Sequence, residues 1–217
     1  SWTNDTWAFD DPLLVEQIRR RILPRRGIMA SDDEILITLG AQNALYLLVS
    51  LLVDGTTRVA MEEPGFPDMR NMLQLKSRHV QLTPIGEKGL TLGEGLDRAQ
   101  VVFTAPSHQY PTTVTMPLDR RMELLKLASK RDFVIIEDDY DSEFRYEGRP
   151  LAALQGLDEG GRVIYTGTLS KVLLPALRLG YMVAPPSLQP AITGAKWLTD
   201  RHVALLYQAV LALFIDE

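Results

Sequence analysis

Phe133-Val134-Ile135-Ile136-Glu137-Asp138-Asp139-Tyr140 is the stretch on which the fold turns. Four apolar residues follow one another without the alternation of a strand that keeps one face wet, and they stop in three acids. Such a run reads as a strand buried on both faces, which belongs to a mainly parallel sheet covered by helices. Runs of the same kind recur at residues 35–38, 59–61, 80–82, 101–104 and 163–165. Between them, residues 41–53, 67–75 and 118–130 space their apolar side chains as helices do. Residues 179–184 read as one further strand, and the chain from Ser187 onward reads as a long helical tail. The pattern predicts the α/β class, with a mainly parallel sheet sandwiched by helices. No repeat, low-complexity tract or linker interrupts it. In such sheets function collects at the carboxyl ends of the strands, and the polar clusters of this sequence lie there.

Composition narrows the classes. The chain has 217 residues, 46% hydrophobic and 24% charged, enough for one sizeable core. A net charge of −5 argues against nucleic-acid binding by bulk electrostatics. There are no cysteines, which excludes disulfides and thiolate metal sites and fits a cytoplasmic protein. The longest apolar stretch, residues 44–53, is interrupted by Ser50 and too short to span a bilayer. The polar opening Ser1-Trp2-Thr3-Asn4-Asp5 is no signal peptide. A start without methionine and an ending in mid-helical pattern lead us to expect a piece of a longer protein. Residues 1–30 read as a helical lead-in segment and residues 31–217 as one domain. Within the lead-in, Arg19 to Arg21 and Arg25-Arg26 form a basic cluster on a helical pattern opened by Asp11-Pro12 and closed by Pro24. Nothing aromatic interleaves it, so a solvated helix face is favoured over a nucleic-acid patch.

The run Val163-Ile164-Tyr165-Thr166-Gly167-Thr168-Leu169-Ser170-Lys171 ends in small hydroxylated residues and one amine, with Arg178 seven residues on. Desolvation at the end of a buried strand lowers a lysine pKa toward the range where the neutral amine attacks a carbonyl. Thr168, Ser170 and Arg178 add the donors that a phosphate needs. Together they suggest an aldehyde cofactor carrying a phosphate, pyridoxal 5′-phosphate (PLP). Taken alone, the same stretch also reads as a surface lysine in a loop. The turn Leu39-Gly40-Ala41-Gln42 leads straight from a strand into a helix, whose free N–H groups suit the same phosphate.

A carboxylate at the end of the 133–136 run is costly unless paired, and a pyridinium nitrogen is a suitable partner, with Tyr140 placed to reach the ring's phenolic oxygen. The alternation of Asp139, Asp141 and Glu143 offers a metal site as a rival reading, weakened by Phe144 where a calcium loop needs glycine. Phe66 and Tyr110, at two more strand ends, supply aromatic groups, and Phe66 suits stacking on a heteroaromatic ring. His108 reads as a hydrogen-bonded structural residue sooner than as a catalytic base. His79 and His202 carry no motif.

These segments together resemble the fold-type-I aminotransferase superfamily, and specifically the aminotransferase-like domain of MocR-type transcription regulators of the GntR family. The matching stretches run in family order from about residue 30 to the end. They are residues 37–45, Glu62-Glu63-Pro64-Gly65-Phe66, Ser107-His108-Gln109-Tyr110-Pro111-Thr112, the acidic run 137–146, and Gly167-Thr168-Leu169-Ser170-Lys171. Ser-His-Gln-Tyr-Pro and the acidic run with its aromatics carry the MocR-type part. The resemblance implies the large, PLP-binding domain of that fold. It makes Lys171 the Schiff-base lysine, Asp138 rather than Asp139 the partner of the ring nitrogen, and Tyr140 the donor to the phenolic oxygen. Gly40, Ala41, Gln42, Thr168, Ser170 and Arg178 would hold the phosphate, Phe66 would stack on the ring, and Tyr110 falls where aminotransferases carry an asparagine. Thr113 departs from the family's usual glycine.

The resemblance also implies parts not in this sequence: an N-terminal winged helix-turn-helix that contacts DNA, and a C-terminal small domain. A domain without the latter is expected to hold PLP weakly and to expose apolar surface. Two functions follow, an effector sensor that binds PLP and a small amine or amino acid, and a working class I/II aminotransferase. Both imply a homodimer without membrane attachment.

Overall fold

In the computed structural model, residues 10–141, 151–169, 177–201 and 203–216 are described. The lead-in begins with α1 (Pro12–Gln17), capped as its sequence predicts. Pro12 opens the helix, and Asp11 Oδ1 accepts from the N–H groups of Leu13 and Leu14 at 2.9 and 3.0 Å. Pro24 does not stop the segment. The helix passes into a π turn (Ile18–Ile22) and then a 3-10 turn (Leu23–Arg26), with Pro24 in the first turn of the latter, where its missing N–H costs nothing.

The sheet and its helices follow in chain order. They are β1 (Ile35–Thr38), α2 (Gly40–Leu52), β2 (Arg58–Glu63), α3 (Pro67–Lys76), β3 (His79–Gly86), β4 (Gly89–Leu90), β5 (Val101–Thr104) and α4 (Leu118–Arg131). After these come β6 (Val134–Asp139), α5 (Leu154–Leu157), β7 (Val163–Thr168), β8 (Gly180–Val183), α6 (Gln189–Thr199) and α7 (Leu205–Asp216). The eight strands lie in the order β1-β8-β7-β6-β5-β2-β3-β4. Strands β3, β2, β5, β6 and β7 are mutually parallel. Strand β8 inserts antiparallel between β7 and β1, and β4 pairs antiparallel with β3.

Both faces of the central strands are buried, as the unbroken apolar runs require. Phe103, Ile136 and Ile164 point into a core with α2, α3 and α6. Their neighbours Val102, Ile135 and Val163 pack under α4 and α5, and Tyr165 packs against the lead-in and α7. Each such side chain contributes about 1.5–3 kcal/mol of burial. The tail is two helices rather than one, broken between Thr199 and Leu205. Gln208, Leu211 and Ala212 of α7 face inward, while Leu206, Tyr207, Val210, Leu213 and Phe214 form an exposed apolar stripe. Among the described residues no helix is long and apolar enough to cross a membrane.

Candidate functional site

A cavity of about 310 Å³ opens at the carboxyl ends of β2, β5 and β6, beside the start of α2. Ala41, Gln42 and Leu45 of α2 line it, with Glu62, Phe66, Phe103, Ala105, Tyr110, Asp138 and Tyr140. Six expected residues thus meet in one place beside Gly40: Ala41, Gln42, Phe66, Tyr110, Asp138 and Tyr140. Phe66 and Tyr110 pack edge to face with ring centroids 6.4 Å apart. Tyr140 stacks on His108 at 5.9 Å, and His108 Nδ1 bonds the Asp141 carboxylate, so the histidine is a partnered one. Asp141 and Asp138 help to raise the Tyr140 phenol well above its usual value, after burial as the main cause.

The pleat of β6 sorts the acidic run. Asp138 shares its face with Ile136 and lies opposite Thr166 in register, whose hydroxyl donates to Asp138 Oδ1 at 3.3 Å. It is 6% exposed, and no ion pair reaches it among the described residues. Burial, then the neighbouring Asp139 charge, pushes its pKa up to about 7, against the Thr166 hydrogen bond. Glu137 and Asp139 point to the other side. Glu137 accepts from the N–H groups of Leu154 and Gln155 at 2.9 and 3.0 Å, with Arg121 at 3.9 Å. Burial still pushes Glu137 up to about 7. Asp139 pairs with Arg26 at 2.8 Å and accepts from the Tyr165 hydroxyl at 2.7 Å. Arg26, expected on a solvated face, is therefore a correction: it is 3% exposed and buried behind the sheet. Asp139 and Asp141 of the rival metal reading are each engaged by a cation or histidine, and Glu143 lies outside the described residues.

Glu62 carries the same signal as Asp138, an acid ending an apolar strand, and lies in the cavity. It accepts from Thr104 Oγ1 at 2.5 Å, Ala105 N at 3.1 Å and Gln109 Nε2 at 3.2 Å, and burial nonetheless raises its pKa. Thr166 and Gln109 had no such mark in the sequence.

Of the residues expected to hold a phosphate, Gly40, Thr168 and Arg178 lie at the adjoining sheet edge. Thr38, Gly180 and Thr168 are level across β1, β8 and β7. Gly40 takes φ +73° where α2 begins, a conformation that favours glycine; Leu39 at the N-cap supplies no side-chain cap, and its own N–H donates to Asn43 Oδ1 at 3.3 Å. A Cβ on Gly40 would stand 3.8 Å from the Arg178 carbonyl oxygen, so Arg178, exposed and at φ +47°, adjoins the helix start. Ser170 and Lys171 lie outside the described residues.

This edge depends on Gly180. A Cβ there would lie 2.7 Å from the Gly40 carbonyl carbon, 2.9 Å from Ala41 N and 3.0 Å from Gly167 O, all backbone. Gly180→Ala is expected to destabilise by about 1–3 kcal/mol, because two strands and a helix must move apart. Gly194→Ala, in α6 and facing open space, is expected to stabilise by about 0.5–1 kcal/mol. Thermal unfolding of both variants checks the contrast, and equal shifts would remove the close approach as its cause.

Among the described residues, a buried carboxylate without an ion pair faces an aromatic-walled cavity beside a helix start, a donor set that suits PLP.

No protein-family model matches the chain. It is 43% identical over 98% of its length to the HTH-type transcriptional regulator TauR of Rhodobacter capsulatus. It is 37% identical over 97% to the probable rhizopine catabolism regulatory protein MocR of Rhizobium meliloti. It spans 44% and 43% of those two proteins. Among solved structures, kynurenine aminotransferase of Pyrococcus horikoshii, crystallised in complex with PMP, superposes with a TM-score of 0.91 at 33% identity, over 99% of this chain and 55% of that one. The chain therefore has the fold of the fold-type-I aminotransferases, and its sequence is similar to part of MocR-type regulators.

Proposed function

We propose that this chain binds PLP and a small amine or amino-acid ligand, as the effector-sensing domain of a MocR-type transcription regulator. The observation that carries the reading is Asp138, buried in the cavity with no cation partner among the described residues while its neighbour Asp139 has one. When bound, PLP supplies an aldehyde for an amine and a ring that withdraws electrons. Asp138 holds a proton at the ring nitrogen. Tyr140 donates at the phenolic oxygen, with Tyr110 near it, and Phe66 covers the ring. The N–H groups of Ala41 and Gln42, with Gly40, Thr168, Ser170 and Arg178, hold the phosphate. Lys171 is the anchoring amine, an assignment that rests on the sequence. The whole protein acts as a cytoplasmic homodimer and reaches DNA through a domain outside this sequence. The regulator relatives support this reading, and the apolar stripe on α7 supports packing against further protein.

PLP added to the intact protein is expected to give a visible absorption band that borohydride traps on Lys171. Trapping on Lys76, Lys88, Lys126, Lys130 or Lys196 instead would overturn the assignment. The second reading, a working aminotransferase, draws on the 0.91 superposition with an aminotransferase. It predicts steady keto-acid release from an amino acid, whereas the sensor predicts a ligand-dependent change in DNA affinity without sustained turnover.

A further inference from the structure

We infer that Arg26 is a positioning residue for this site: by pairing with Asp139 behind the sheet and holding Ser107, it leaves Asp138 as the carboxylate that serves a cation in the cavity. The inference rests on the PLP-binding reading above. Every arm of the guanidinium is used. Nε donates to Asp139 Oδ2 at 2.8 Å, Nη2 to Ser107 Oγ at 2.5 Å, and Nη1 to the Leu151 carbonyl at 3.1 Å. The Arg26 carbonyl in turn accepts from Ala153 N at 2.8 Å. Ser107 opens the loop that carries Tyr110, and Asp139 immediately precedes Tyr140. One side chain from the lead-in, 113 residues away from Asp139, thus ties together the roots of both tyrosine-bearing segments.

Its charge matters as much as its bonds. Among the described residues, the charges that act most strongly on Asp138 are Asp139, Glu62 and Asp141, all acids. With Arg26 in place, the Asp139 charge is offset in part from the rear of the sheet, although it still raises the Asp138 pKa. Without it, the Asp139 charge falls fully on Asp138, and two adjacent buried carboxylates cannot both remain ionised. A protonated Asp138 no longer favours a proton on a ring nitrogen. Arg26 touches nothing in the cavity, so its influence passes through Asp139 and Ser107.

The test compares Arg26→Gln, Arg26→Lys and the double variant Arg26→Gln/Asp139→Asn in the intact protein. Circular dichroism establishes folding, and a PLP titration followed by absorbance gives affinity. Arg26→Gln is expected to lose affinity by about tenfold or more, the scale of a buried charge left unpaired. The pH midpoint of the bound-cofactor absorption should also move upward, because added negative charge favours protonated forms. The double variant, which removes both charges, is expected to bind within about threefold of wild type. A folded Arg26→Gln protein with wild-type affinity and midpoint would overturn the inference, as would a double variant no better than Arg26→Gln. Should Arg26→Gln not fold, the other two variants decide: near-wild-type binding in both supports the charge role, and loss in either overturns it. If the wild-type protein takes up no PLP, the reading of the site fails instead. The role of Arg26 is then read by carbon-detected NMR titration of Asp138 in the ligand-free protein, whose midpoint must rise when Arg26 is replaced by Gln or the inference falls.

Discussion

Asp138→Asn is expected to lower PLP affinity by about a hundredfold, the scale of removing one partner from a buried charge pair, and at the same time to make the ligand-free protein more stable at pH 8. The second effect follows from linkage. The carboxyl titrates near 7 in the folded protein, above its unfolded value of about 3.9. The folded state therefore holds the proton more tightly, and its stability falls as pH rises between those two values. Asparagine removes that loss. The gain is expected at about 1–3 kcal/mol at pH 8 and near zero at pH 4, where the folded carboxyl is neutral and the unfolded one is only about half ionised. Asp139→Asn should do the opposite: it strands the Arg26 charge and costs stability, with little effect on affinity. Melting curves at the two pH values and a PLP titration check all three statements. Equal affinity losses at Asp138 and Asp139 would show that the register of β6 does not select the cofactor's partner.

Replacing Arg121 by methionine is expected to cost about 3–5 kcal/mol, the scale of stripping one partner from a buried ion pair. Arg121 is fully buried and donates to the carbonyls of Met116, Ala152 and Pro106, each at 2.9 Å. It also supplies the charge nearest Glu137, whose pKa stands at about 7 chiefly through burial, even with that charge present. Because the Glu137 pKa is raised, its contribution is complete below the unfolded value and lost as pH rises through 7. Without Arg121 it must rise further. The deficit in melting temperature, about 10 °C for a chain of this size, should thus be larger at pH 8 than at pH 5. A deficit independent of pH would assign the whole effect to the three carbonyls.

The legible part of the site was the part made of local pattern. An acid or small polar residue ending an unbroken apolar run marks a strand's carboxyl end, and that rule pointed to the acids at 137–139 and the Gly40 turn, with aromatic residues beside other strand ends; the choice of Asp138 among the acids came from the family resemblance. Applied evenly, the rule also marks Glu62, which lies in the cavity and had been quoted without a role. Thr166 and Gln109 escape the rule because nothing in their neighbours says which face of a strand, or which carboxylate, they meet.

The same boundary separates sequence from tertiary structure for the chain as a whole. Apolar runs without alternation determined that the sheet is mainly parallel and covered on both faces, because only a strand buried twice can afford no polar side. They did not determine that β8 runs antiparallel between β1 and β7, since strand order depends on which surfaces remain to be covered once the parallel core exists. Nor did they show that β6 continues through Glu137, Asp138 and Asp139. Three consecutive buried acids are tolerable only where compensation arrives from elsewhere: Arg121 and the start of α5 for Glu137, Arg26 and Tyr165 for Asp139. Arg26 looked like one more cation in a basic cluster on the lead-in. Its burial was decided by the carboxylate waiting for it 113 residues later, a partner that no local pattern can name.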